Sequence, residues 1–152
     1  MKSLFYAIII LGVLSCMNSS SPPSITVQSL NDSEAPAVKH YKGPLEGGFK
    51  GDSISFDVSA DGKKLYNLTF KGYWRCGGKM ERLIAAGPEG SFDIINNTVK
   101  DHISEPPNGG STAWRFDINT TIDNKIAKGT FRMNINNLGC DSYLLKFTAV
   151  AK

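Results

Sequence analysis

The stretch Ile54-Ser55-Phe56-Asp57-Val58-Ser59-Ala60-Asp61-Gly62-Lys63-Lys64-Leu65-Tyr66-Asn67-Leu68-Thr69-Phe70 decides the fold. Ile54, Phe56 and Val58 alternate with Ser53, Ser55 and Asp57. That period of two is the mark of a strand with one face buried and one wet. Ala60-Asp61-Gly62-Lys63 reads as a tight turn with Asp-Gly at its centre, a strong hairpin signal. Leu65 to Arg75 then returns as a second strand, with Leu68, Phe70 and Trp74 on one face.

The same grammar continues outward from this hairpin. Cys76-Gly77-Gly78-Lys79 is the next turn and Met80–Ala85 a short third strand. Gly87-Pro88-Glu89-Gly90 turns again. Ser91–Ile95 and Thr98–Ile103 flank Asn96-Asn97, a second two-residue hairpin signal. Glu105-Pro106-Pro107-Asn108-Gly109-Gly110 is a loop, because two prolines exclude a central strand. Trp114, Phe116 and Ile118 share one face of the next strand, and Phe131, Met133 and Ile135 share one face of the strand after it. Asp123-Asn124 joins those two, and Asn136-Asn137-Leu138-Gly139 turns into a last strand, opened by Cys140, with Tyr143, Leu145, Phe147 and Ala149 in register. No stretch sustains a helical period of 3.6. The expected fold is all-β: an antiparallel β-sandwich or barrel of about seven to nine short strands.

The chain has 152 residues, with 41% hydrophobic and 20% charged residues and a net charge of +3. That length suits one domain, and that composition excludes wholesale disorder. The N-terminus stands apart. Met1-Lys2-Ser3 is a short positive lead, and Leu4–Leu14 is an uncharged apolar run of 11 residues. A run of that length suits a signal peptide and falls short of the roughly 20 residues of a membrane-spanning helix. Val13-Leu14-Ser15-Cys16 resembles the lipobox of bacterial lipoproteins, although Leu14 stands where a small residue is commoner. The resemblance implies a signal peptide over residues 1–15 and lipid attachment at Cys16, hence a lipid-anchored protein of the bacterial cell envelope. The alternative is an ordinary secretory peptide, with Cys16 removed and the product secreted and soluble. Residues 16–40 are Ser-, Pro- and Asn-rich and read as the lipidated cysteine and its flexible tether, with the β-domain over residues 41–152.

Once Cys16 is lipidated or lost, Cys76 and Cys140 remain, and an even pair in an exported protein reads as a disulfide. Several motifs also resemble a group of small exported bacterial β-domains of unknown function. They are Tyr41-Lys42-Gly43, the hairpin above, Asn67-Leu68-Thr69-Phe70 before Cys76, Gly129-Thr130-Phe131, and Cys140-Asp141-Ser142. That resemblance spans about residues 41–150. It implies a compact β-domain and the Cys76–Cys140 bridge, and brings no catalytic residue or ligand with it.

Chemistry is sparse. There is no G-x-S-x-G elbow, no P-loop and no HExxH motif. His40 sits at the junction of tether and domain. Asp101, His102 and Glu105 form a weak acid–base or metal candidate, better read as a polar strand end. Asp57, Glu81, Asp93, Asp117 and Asp141 lie in or beside strands, but sequence alone brings no two of them together. No catalytic residue, metal or cofactor is therefore expected. Charge says more: Lys63, Lys64, Lys71, Arg75, Lys79 and Arg82 crowd one hairpin against the single acid Glu81. Lys64, Tyr66, Lys71, Tyr73, Trp74, Arg75 and Lys79 form the candidate binding surface. Cations and aromatics interleaved in this way suit an anionic polysaccharide or lipid headgroups. The expectation is a non-catalytic binding module of the cell envelope for a glycan, a peptide or another envelope protein. The alternative is a structural envelope or matrix component without a small ligand. A hydrolase ranks third. Nucleic acid is excluded as a partner by the small net charge and the export signal.

Overall fold

The computed structural model describes residues 37–152. The apolar leader, Cys16 and most of the expected tether lie outside the described residues. The strands are β1 (Lys39–Glu46), β2 (Ser53–Val58), β3 (Lys64–Cys76), β4 (Lys79–Ala86), β5 (Phe92–Asp93), β6 (Thr98–Glu105), β7 (Trp114–Asp123), β8 (Ile126–Ile135), β9 (Cys140–Asp141) and β10 (Leu145–Ala151). The domain is all-β. Six strands close on themselves in the order β1-β2-β3-β9-β8-β10, all pairings antiparallel, so the architecture is a barrel. β4 and β5 extend the free edge of β3, and β7 with β6 extends that of β8.

Alternation built this barrel, but β3 needed a correction that simple alternation does not supply. Leu65 and Leu68 are both buried although they lie an odd number of residues apart. The register explains it: Asp57 faces Tyr66 while Ser55 faces Thr69, so β3 carries an extra residue there. That residue is Asn67, in the left-handed region at φ +52°, and its side-chain amide donates to Asp57 Oδ2 at 2.8 Å. Asn tolerates this conformation better than most residues, and a β-bulge of this kind turns the following residues to the other face. From Leu68 onward Phe70, Gly72 and Trp74 point inward, whereas Lys71, Tyr73 and Arg75 point outward.

The core is aromatic. Tyr41 stacks on Phe56 at 5.3 Å, Phe56 meets Phe147, and Phe70 lies 5.6 Å from Phe131. Each such ring contributes on the order of 2–3 kcal/mol by leaving water. A second layer stacks Trp74 on Trp114 at 5.2 Å and continues to Phe116, joining β3 to β7.

Several expected turns form as read. Asn96 and Asn97 both adopt positive φ between bridged Ile95 and Thr98, and Gly77-Gly78 does the same between β3 and β4. β1 is an addition: Gly43 and Pro44 disguise it as a loop, and it begins at Lys39, two residues before the expected domain start. Gly43 is required there, because a Cβ would fall 1.9 Å from the Thr148 carbonyl oxygen of β10. The last strand also differs. Cys140 opens a separate two-residue strand, β9, and β10 starts only at Leu145. Tyr143 at φ +57° breaks the line between them, so it does not share the register of Leu145, Phe147 and Ala149.

The Cys76–Cys140 disulfide forms. It sits where the barrel is thinnest, because Arg75 opposite Asp141 is the one register pair between β3 and β9. Closing a loop of 64 residues stabilises the fold by on the order of 4 kcal/mol in the chain-entropy model. Reduction is expected to lower the melting temperature by at least several degrees in calorimetry. An unchanged transition in reductant would show that the bridge does not hold the seam.

Candidate functional site

Where β3 leaves β2 the barrel wall has a gap. Register pairs run to Ser53–Lys71 and resume at Arg75–Asp141. A groove of about 320 Å³ opens at that gap, lined by the β1–β2 loop (Gly47, Phe49, Asp52), by Tyr73, Trp74 and Arg75, and by Asp141, Ser142, Tyr143 and Leu145 with Met80. The local sequence accounts for each wall. Positive φ at Gly47 and Gly51 folds the β1–β2 loop tightly. Phe49 donates its backbone N–H to Asp52 Oδ2 at 2.8 Å, and Asp52 returns its own N–H to the Phe49 carbonyl. This turn buries Asp52 to 6% exposure and leaves the Phe49 ring 59% exposed. The Phe49 ring meets Tyr73 at 4.7 Å, and Arg82 lies over the Tyr73 ring at 5.8 Å.

The opposite wall is set by Asp141. Burial pushes its carboxyl upward, but hydrogen bonds from Arg132 and the Tyr143 N–H, with the Arg132 charge, outweigh that and hold it below the usual carboxylate range. Arg132 grips it through Nε and Nη2. The Tyr143 N–H bond, at 2.7 Å, holds a left-handed backbone that costs a tyrosine about 1 kcal/mol, and the phenol ring is left 59% exposed.

The candidate surface divides along the pleat. Lys71, Tyr73 and Arg75 do share one outward face, and Arg82 joins them opposite Tyr73. Lys64 is also outward but is paired with Asp93 at 2.6 Å. Tyr66 is half-buried beside Asp57, beyond the bulge. Trp74 is not on this surface: at 4% exposure it stacks on Trp114, and its indole Nε1 has no hydrogen-bond partner. Lys79 faces Cys76 in register, which puts it on the opposite face of the hairpin from Tyr73 and Arg75.

The weaker candidates are dispersed. His40 Nδ1 pairs with Asp57 at 2.7 Å, and although burial pushes Asp57 upward, bonds from Asn67 and His40 and the His40 charge bring its pKa down. Glu105 accepts the Glu89 N–H instead of joining Asp101 and His102. Asp93, Asp117 and Asp141 are each held by a cation. Among the described residues no group of His, Cys, Asp or Glu is arranged to hold a metal ion. Sequence reading passed over Asp52 and Phe49; the signal for them was an aromatic and an acid embedded in the glycine-rich run Gly47-Gly48-Phe49-Lys50-Gly51-Asp52.

No protein-family model, curated protein or solved structure matches the chain.

The Asp141 pair carries a pH signature. A carboxylate lowered in the fold adds stability above its ordinary titration range, and this is lost as pH falls through the folded value. Asp141→Asn is expected to cost about 1 kcal/mol at neutral pH, a modest figure because Arg132 is half-exposed. Urea titrations should show the two proteins converging below about pH 4. A difference that persists unchanged into acid would rule out the Arg132–Asp141 pair as its source.

Proposed function

We propose that this chain is an exported bacterial lipoprotein, anchored at Cys16, whose barrel is a non-catalytic module that binds an anionic glycan of the cell envelope. The observation that carries the reading is the outward face of β3 and β4. Lys71, Tyr73 and Arg75 recur every second residue, and Arg82 stands opposite Tyr73. None of these cations takes part in an ion pair with the described acids. Unpaired cations on a rigid sheet attract carboxylate or sulfate groups. A lipid anchor and tether suit a module that samples its immediate surroundings.

Reversing charge on that face is the test. Lys71→Glu and Arg75→Glu are expected to weaken binding to acidic polysaccharides in a glycan array by about ten-fold each, while Lys79→Glu, on the other face, has a much smaller effect. Equal loss from all three would mean general charge attraction without a site. Binding that survives all three would sink the surface altogether. The anchor is tested separately: Cys16→Ala is expected to abolish incorporation of a labelled fatty-acid precursor, and retained labelling would reject lipidation at Cys16.

A further inference from the structure

Asp52 lines the groove with a carboxylate that no described cation pairs. It is a carboxylate at 6% exposure, and it takes part in none of the ion pairs among the described residues. Oδ2 accepts the Phe49 N–H, whereas Oδ1 has no donor among the described residues. A carboxylate holding one hydrogen bond still has acceptor capacity, and a cation that arrives with N–H donors fills it. The neighbouring walls suit a cation. Phe49, Tyr73 and Tyr143 line the same groove, and ring faces attract ammonium groups. Tyr143 is held there in a left-handed conformation that leaves its ring exposed.

The other charged wall is Arg75. It lines the groove, projects outward, and belongs to no ion pair with the described acids. An acid and an unpaired guanidinium on one groove of about 320 Å³ match a small molecule that carries both signs of charge. The missing donor at Asp52 Oδ1 favours a primary ammonium over a quaternary one, since only the former brings N–H groups. Trp74, also in the lining, keeps a buried indole N–H without an acceptor.

We propose that the groove between the β1–β2 loop and residues 141–145 binds a primary-ammonium zwitterion of the phosphoethanolamine type. Asp52 holds the ammonium, the Phe49, Tyr73 and Tyr143 rings enclose it, and Arg75 holds the phosphate. This goes beyond the glycan reading, because it depends on Asp52 and the groove and not on Lys71, although Tyr73 and Arg75 serve both.

The test titrates the full chain with O-phosphorylethanolamine, following heat release and the Trp74 indole N–H signal by NMR. Ethanolamine, phosphocholine and inorganic phosphate serve as separate arms. O-phosphorylethanolamine is expected to bind at least about ten-fold more tightly than any of the other three. Asp52→Asn should remove most of that advantage; its side-chain oxygen still accepts the Phe49 N–H, so the loop keeps its turn. Tyr143→Ala, at an exposed ring, should weaken binding independently. Vesicles containing phosphatidylethanolamine, compared with phosphatidylcholine alone, show whether the headgroup is also taken from a lipid surface. Binding of inorganic phosphate equal to that of O-phosphorylethanolamine overturns the proposal, as does undiminished binding by Asp52→Asn. No binding of O-phosphorylethanolamine also overturns it, and leaves the glycan reading untouched if the array signal still depends on Lys71.

Discussion

The barrel depends on one short seam. β8 is paired along its whole length on one edge by β7, and its other edge is shared by β10 and the two-residue β9. Among the described strands only β9 pairs with both β8 and β3, meeting β3 through Arg75 and Asp141. A single register pair is a weak closure, because each backbone hydrogen bond has a net worth of only about 1 kcal/mol. The disulfide lies immediately beside it, between the residues that follow Arg75 and precede Asp141. The covalent bond converts a marginal strand contact into a closed wall.

The same seam creates the groove. β2 is too short to accompany β3 to its end, so the β3 backbone from Gly72 to Trp74 runs between the last β2 pair and the first β9 pair. The β1–β2 loop and the Tyr143 kink fold over the two sides of that gap. Phe49 and Tyr143 stand exposed beside it. Trp74 moves the other way, into the second aromatic layer, because the bulge at Asn67 sets the parity of every later residue in β3. A one-residue change of register therefore decides which of Tyr73 and Trp74 meets solvent.

Much of this was legible. Ile54, Phe56 and Val58 announced β2, Asp61-Gly62 the first hairpin, Asn96-Asn97 the second, and the alternating aromatics of β7 and β8 their inner faces. β1 was hidden because Gly43 and Pro44 read as breakers, whereas close packing against Thr148 in β10 makes glycine necessary. Of the seven residues of the basic–aromatic surface, Lys71, Tyr73 and Arg75 share a face, Lys64 is neutralised by Asp93, and Lys79 lies across the pleat. Asp52 was not legible as a site residue, since its interest lies in burial without a cation, and burial is a property of neighbours such as Gly72, brought up from β3.

Local chemistry was therefore enough for the sequence alone to determine the all-β class, most turns and the cysteine pair, because period, turn residues and parity are read within a few positions of one another. Only the tertiary structure decided that the sheet closes as a barrel, that β9 stands apart from β10, and that an acid and three rings converge on a gap in the wall. Those outcomes follow from pairing between segments as far apart as β1 and β10, whose register depends on a bulge and a kink that alternation does not encode.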